Sequence, residues 1–196
     1  MSNSIDFFET QFSNHLSTAD LALNPFEAAA LPYLRGRVLD FGCGLGNLSV
    51  AAARQGCTVL AIDAAPTAIR HLASRAGHEK LPITALHADL RTYSVTEHFD
   101  VIAAIGLLMF FKPERARSQL AHLQEHVRPG GIAIINVLIE GTTFLDMFDP
   151  VDHCLFRRTE LREAFAKWQI ESESFEDFPA PGDSLKRFAT VIARKR

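Results

Sequence analysis

The 196-residue sequence has few cysteines, and none of them forms a CxxC pair. The three that occur are odd in number and far apart in the chain, which argues against a disulfide framework and favours a reducing compartment. Long apolar runs are also missing, since the longest, residues 101–111, is shorter than the roughly 20 residues that a membrane-spanning helix needs. The sequence begins without the basic and apolar segments of a signal peptide. We therefore expect a cytoplasmic protein without a membrane partner.

An excess of positive charge is absent as well. The formal net charge is −3 and the pI is about 6.2, so no overall field attracts nucleic acid or an anionic membrane surface. Metal-ligand clusters are not evident either. His122 and His126 lie four residues apart on a predicted helix, but a metal site needs further ligands. We expect no nucleic-acid partner and no metal, and the sequence leaves the oligomeric state open.

Helical and strand-like patterns alternate along most of the chain. The predicted strands cover residues 37–41, 57–62, 83–87, 99–105 and 132–139, and the helices between them cover 47–55, 66–76 and 113–127. After a further helix at 159–168, two strands at 169–175 and 187–193 follow each other without a helix between them, which predicts an antiparallel hairpin. The pattern predicts a single, doubly wound α/β domain with helices on both faces of a mostly parallel sheet.

The densest motif is VLDFGCGLG at residues 38–46, where a strand ends and three glycines follow at alternate positions, Gly42, Gly44 and Gly46. The first strand of such a sheet delivers its loop to the point where ligands bind, and glycines allow a ligand to approach the backbone closely. The G-x-G-x-G spacing differs from the dinucleotide fingerprint G-x-G-x-x-G, and no P-loop lysine is present. Together with Asp40, which can accept hydrogen bonds from a cationic group, this favours a nucleoside ligand without phosphates.

Acidic residues also follow the second and third predicted strands. Asp63 ends the second strand, where a carboxylate can accept hydrogen bonds from both ribose hydroxyls, and the small Ala64 next to it leaves room for a base. Asp89 and Leu90 follow the third strand, where they could contact the amino group and the ring of adenine. Taken alone, Asp63 could instead cap the helix that begins at Pro66, and Asp89 could equally well cap a turn. The prediction depends on the series of acids after three successive strands.

These pieces, together with FDVIAAIGLL (99–108) and RPGGIAIINVL (128–138), resemble the class I S-adenosylmethionine-dependent methyltransferases over residues 35–196. The resemblance implies a Rossmann-like sheet of seven strands with an antiparallel last strand, and S-adenosyl-L-methionine as cofactor. It also implies that residues 1–34 form a helical cap over the cofactor site. The implied cofactor-binding residues are Asp40, Gly42, Cys43, Gly44, Gly46, Asp63, Ala64, Asp89, Leu90 and Ile105.

Within that superfamily the chain looks like the tellurite-resistance methyltransferases. The matching segments are LLMFFKPE (107–114), FRRTELREAFAKW (156–168) and LKRFATVIARKR (185–196). The resemblance implies in-line methyl transfer to a small-molecule acceptor such as a thiol or a chalcogen oxyanion. This sequence lacks the His-Arg pair that is typical before the last strand of that group, and only Arg187 matches one of its polar positions. The candidate catalytic residues are therefore Arg187 and, from the N-terminal segment, His15.

Other interpretations stay open. His153 and Arg157 are further candidates near the acceptor, whereas Met109, Phe110 and Phe111 are better explained as core residues than as a substrate clamp. A nicotinamide-dependent oxidoreductase shares the fold class but is disfavoured by the glycine spacing. A regulator that binds S-adenosylmethionine without catalysis is the second alternative, because the His-Arg pair is missing.

Overall fold

The computed structural model describes residues 3–18 and 22–196, with the side chains of residues 4–14 and 22–196. Two helices come first, α1 (Asn3–Thr18) and α2 (Pro25–Ala30). The alternating part follows, with β1 (Arg37–Phe41), α3 (Asn47–Arg54), β2 (Thr58–Asp63), α4 (Pro66–Glu79), β3 (Ile83–His87), β4 (Phe99–Ile105), α5 (Pro113–Glu125) and β5 (Val127–Leu138). The last elements are α6 (Glu160–Ala164), β6 (Gln169–Ala180) and β7 (Ser184–Arg194).

The seven strands form one sheet in the order β3-β2-β1-β4-β5-β7-β6. β1 to β5 are parallel, and β7 runs antiparallel to both β5 and β6. The predicted mixed sheet with an antiparallel last strand is thus confirmed. The strand order reverses between β1 and β4, so their following loops diverge and leave a crevice at the carboxyl ends of the strands.

Both faces of the sheet are covered by helices, as predicted. Successive side chains of a strand point to opposite faces. In β1, Val38 therefore joins the apolar cluster that contains α2, α3 and α4, and Leu39 joins the cluster that contains α5 and α6. Val38 and Leu39 are both fully buried. The uninterrupted apolar runs of the parallel strands are explained by this burial on two sides.

A capping box begins α2 at Asn24 and Pro25. The Asn24 side chain accepts a hydrogen bond from the Glu27 N–H at 2.9 Å, and the Glu27 carboxylate accepts one from the Asn24 N–H at 2.8 Å. The helix passes into a short 3₁₀ turn at Leu31–Tyr33, as the position of Pro32 suggested. The capping box thus stabilises the first turn of α2.

Some predicted boundaries are wrong. α4 does not stop at Gly77 but continues to Glu79, and Lys80 closes it in the left-handed conformation. A helical glycine costs only about 1 kcal/mol relative to alanine, and the extra residues gain the Arg75–Glu79 ion pair. The strand predicted at 132–139 begins earlier, so that residues 128–131 also lie within β5, where the pairing with β4 shifts register. No helix within residues 3–18 and 22–196 is long and apolar enough to cross a membrane.

Candidate active site

A cavity of about 660 Å³ opens at the carboxyl edge of the parallel strands, a volume typical of small-molecule sites. The predicted cofactor residues that line it are Asp40, Gly42, Cys43, Gly44, Asp63, Ala64, Asp89, Leu90 and Ile105. Four strand ends thus bring residues that are far apart in the sequence to one wall. Gly46 is the predicted residue that does not line the cavity.

The loop after β1 is held in place by its own backbone. The N–H groups of Gly42 and Cys43 donate to the Ile62 carbonyl of β2 at 2.8 and 3.0 Å. Gly44 has a φ of +52°, and a Cβ there would lie 3.2 Å from the Phe12 ring of α1. The loop backbone therefore lies close under α1, and a side chain at Gly44 would strain this contact.

Gly46 serves packing rather than the cavity. It begins α3 with a φ of +77°, and a Cβ at this position would lie 2.5 Å from Leu72 Cδ1 of α4. The missing side chain thus allows α3 and α4 to pack closely. The sequence shows that three glycines are present, but it does not show that the third contacts another helix.

Asp40 is the most deeply buried acid at the cavity, with 4% of its surface exposed. Its carboxylate accepts a hydrogen bond from Ser49 Oγ at 2.6 Å. Burial is the main cause that raises the pKa of Asp40 to about 7, and the nearby Glu27 and Asp63 raise it further. A cationic group of a ligand would offset this burial and favour the ionised carboxylate.

Asp63 lies at the end of β2, and both of its carboxylate oxygens are engaged by backbone. One accepts from the Gly44 N–H and the other from the Ala65 N–H, each at 2.8 Å. Burial raises the pKa of Asp63, and these hydrogen bonds oppose that effect. Each oxygen can accept more than one hydrogen bond, so the carboxylate can still bind a pair of hydroxyls.

Asp89 is paired with a cation that the sequence analysis did not consider. Its two oxygens accept hydrogen bonds from Arg91 Nε and Nη2, each at 3.0 Å, and Arg91 lowers the pKa of Asp89. Leu90 beside it is buried. A ligand amino group at Asp89 would share the carboxylate with Arg91.

The cavity continues beyond β4 to a part that the sequence analysis missed. Asn136 and Leu138 of β5 line it together with Lys186 and Phe188 of β7. Side chains of a strand alternate between faces, so Arg187 points to the opposite side from its two neighbours. Its Nε donates to Asp177 Oδ1 at 3.1 Å, and it does not line the cavity.

Among the remaining histidine and arginine candidates, only His153 and Arg157 have described side chains. The side chain of His15 lies outside the described residues. His153 stacks on Phe148 with 4.8 Å between the ring centroids, and Arg157 pairs with Glu163. Neither His153 nor Arg157 lines the cavity.

The ligand atoms of His122, Glu125 and His126 lie within 4.8 Å of one another, on the helix α5 side of the sheet. The Nε2 atom of His122, however, accepts a hydrogen bond from the Val95 N–H at 3.0 Å. The lone pair of this nitrogen is therefore not free to bind a metal ion. The absence of a metal stays a prediction.

Comparison with known proteins places this geometry in a family. Residues 38–131 match a family model described as "Methyltransferase domain". The chain is 30% identical over 169 residues to hemagglutinin 1 of Eikenella corrodens, and 28% identical over 167 residues to the probable S-adenosyl-L-methionine-dependent methyltransferase TehB of Haemophilus influenzae. These matches cover 81% and 82% of this chain but 54% and 57% of the two relatives. The chain thus spans a little over half the length of these relatives.

The fold agrees with the sequence matches. The crystal structure of TehB from Haemophilus influenzae is similar with a TM-score of 0.77 and 24% identity, covering 89% of this chain and 63% of that one. The matched family segment contains β1 to β4 with the strand-end acids Asp40, Asp63 and Asp89. Residues 38–131 therefore carry a methyltransferase domain, and the chain is related to TehB.

Proposed function

We propose that the chain binds S-adenosyl-L-methionine in the half of the cavity formed by the ends of β1, β2 and β3, and transfers its methyl group to a small molecule in the other half. The observation that carries this proposal is the series of carboxylates along one wall, Asp40, Asp63 and Asp89, beside a glycine loop without phosphate-binding groups. A ligand with an ammonium group, a ribose and a purine matches that series in order.

Each acid has a separate part in binding. The buried Asp40, with Glu27 nearby, favours the ammonium of the amino-acid tail. Asp63, fixed by Gly44 and Ala65, accepts hydrogen bonds from the ribose hydroxyls. The adenine lies against the apolar side chains that follow β3 and β4, where Asp89 accepts from its amino group.

The helices α1 and α2 cover the cavity in this proposal. The cavity is lined by Phe8 and Phe12 of α1 and by Phe26 and Glu27 of α2. Phe8 also packs edge-on against Phe110 beyond β4, with 5.2 Å between the ring centroids. The two helices would thus exclude water from the cofactor, in line with the cap that the resemblance implied.

The bound cofactor supplies a sulfonium-activated methyl group, so the chain itself has to bind and orient the reactants. Orientation alone can lower the barrier by several kcal/mol, about 7–11 in ideal cases. No histidine among the described side chains lines the cavity. Because the carboxylates at the cavity are assigned to the cofactor in this proposal, we expect a nucleophile that attacks without a histidine base, rather than one that must first lose a proton.

Incubation with methyl-tritiated S-adenosylmethionine tests the proposal. Amines, thiols, selenite and tellurite serve as acceptors, and we expect label in at least one of these products. Binding of the cofactor without transfer to any of them would favour the non-catalytic regulator instead.

A further inference from the structure

The acceptor half of the cavity has a wall with three levels. Its cavity face carries Asn136 and Leu138 from β5, and Lys186 and Phe188 from β7. The antiparallel register pairs Asn136 with Thr190 and Leu138 with Phe188. Lys186 is the next residue of β7 on this face, because side chains alternate. The wall therefore has a polar level at Asn136, an apolar level at Leu138 and Phe188, and a cationic level at Lys186.

Lys186 is a cation without a counterion among the described side chains, those of residues 4–14 and 22–196. Its Nζ lies 4.6 Å from the ring centroid of Phe144, and it makes no hydrogen bond or ion pair within residues 3–18 and 22–196. Burial lowers the pKa of this half-buried ammonium. The other cation at the cavity, Arg91, is already paired with Asp89. An anionic group of a ligand would thus find its partner at Lys186.

Asn136 provides a second, independent indication that a ligand binds in the acceptor half of the cavity. It is fully buried, and its Nδ2 donates to Thr190 Oγ1 at 2.9 Å. Its Oδ1 has no partner among the described residues. A buried oxygen of this kind is costly to leave unpaired, and a ligand N–H or O–H would satisfy it. Asn136 also pairs with Ile105, so this donor would lie beside the predicted cofactor site.

We propose that the acceptor is an aromatic amine that carries a carboxylate. Its amino group donates to Asn136 Oδ1 next to the cofactor, its ring packs against the apolar level formed by Leu138 and Phe188, and its carboxylate pairs with Lys186. Two residues of a strand span about 7 Å, so the outer levels lie about 14 Å apart at the backbone. The asparagine and lysine side chains bridge part of that distance, and one aromatic ring fills the rest.

An amine fits the site better than a hydroxyl because an uncharged arylamine needs no base. Its lone pair forms the bond to the methyl carbon while the carbon–sulfur bond breaks, and that electron pair stays on sulfur. The methylated nitrogen then releases one proton to water. This inference rests on the proposed methyl transfer, and it goes further by naming the acceptor class.

The test compares 4-aminobenzoate with its neutral analogue 4-aminobenzamide. Binding of both is measured by calorimetry at saturating S-adenosylhomocysteine, and transfer is measured with methyl-tritiated S-adenosylmethionine. The variants are Lys186→Met, which removes the charge, and Lys186→Arg, which keeps it. Lys167→Met, an exposed lysine outside the cavity, is the matched control.

We expect wild type to prefer the carboxylate and Lys186→Met to lose about tenfold or more in affinity for 4-aminobenzoate alone. Lys186→Arg should retain most of that affinity, and Lys167→Met all of it. Equal binding of the two probes by wild type, no binding of 4-aminobenzoate, or an equal loss of both in Lys186→Met would overturn the inference. Failure to bind S-adenosylhomocysteine would instead overturn the proposed function, so the two failures are distinguishable.

Discussion

The Asp63 carboxylate accepts a hydrogen bond from the Gly44 N–H at 2.8 Å, and this contact ties the loop after β1 to the end of β2. The second oxygen of Asp63 accepts from Ala65 at the start of α4. One side chain therefore fixes the glycine loop and presents a carboxylate to the cavity. Its role in stability and its proposed role in ribose binding can be separated by experiment.

Asp63→Asn keeps the size of the side chain but replaces one acceptor oxygen with a donor that faces a backbone N–H. We expect the free energy of unfolding to fall by about 1–3 kcal/mol. We also expect the affinity for S-adenosylhomocysteine to fall by about tenfold or more, measured by calorimetry well below the melting temperature. Asp177→Asn, which breaks an exposed ion pair outside the cavity, is the control. It should change neither the free energy of unfolding nor the affinity for S-adenosylhomocysteine by much. Unchanged cofactor affinity in Asp63→Asn would remove Asp63 from the ribose site.

Gly46→Ala should destabilise the fold through packing against Leu72. The variant adds a Cβ at a φ of +77° and places it 2.5 Å from Leu72 Cδ1. Gly56→Ala is a matched control, since Gly56 has a φ of +89° and nothing within 4 Å of an added Cβ. Backbone strain should cost both variants about 1–2 kcal/mol, and overpacking should cost Gly46→Ala about 1–3 kcal/mol more. Urea denaturation measures the free energy of unfolding of both variants. Equal losses of stability would mean that Leu72 moves away from the added Cβ at no cost.

The raised pKa of Asp40 predicts a pH dependence of stability. Its carboxyl holds its proton up to a pKa of about 7 in the folded chain, against 3.8 for the ordinary group. Between these values the folded state binds more protons than the unfolded state, so this group's contribution to stability falls as the pH rises from about 4 to above 7. The slope is at most about 1.4 kcal/mol per pH unit. Asp40→Asn, which mimics the protonated form, should remove this part of the slope.

The affinity for the cofactor should rise with pH, whereas the contribution of Asp40 to stability falls. An ammonium favours the ionised Asp40, so the affinity for S-adenosylhomocysteine should rise as the pH increases through about 7 in the wild type. Asp40→Asn should lose that rise. A pH profile of the dissociation constant that is the same in both proteins would mean that Asp40 does not face the ligand's ammonium.

Phe12→Ala tests whether α1 covers the cofactor. Phe12 lines the cavity and lies above Gly44, so its truncation should open the site to water. We expect faster dissociation of S-adenosylhomocysteine, by about fivefold to tenfold, with little change in the association rate. Thr10→Ala, on the exposed side of the same helix, is the control. Identical dissociation rates in stopped-flow measurements would argue against residues 1–34 as a cap.

The sequence predicted the parallel part of the fold closely because its signals are local. Apolar runs bounded by turn residues give β1, β3 and β4 with the observed bounds. The strand-end acids Asp40, Asp63 and Asp89 were found for the same reason, since parallel strands deliver their ends to one edge.

The acceptor half could not be predicted in this way because it depends on register. Lys186 lines the cavity and Arg187 does not, a difference of one residue in a strand whose alternation is fixed by pairing with β5. The importance of Asn136 likewise depends on its contact with Thr190, far away in the chain. The packing role of Gly46 depends on Leu72 of another helix. Such contacts leave no pattern in a single sequence.

Direct binding of S-adenosylhomocysteine to the wild-type chain is the measurement that tests the central claim. We expect calorimetry to show one site per chain, and a melting temperature that rises with the concentration of this ligand but does not change with NAD. A melting temperature that rises with NAD and does not respond to S-adenosylhomocysteine would contradict the account.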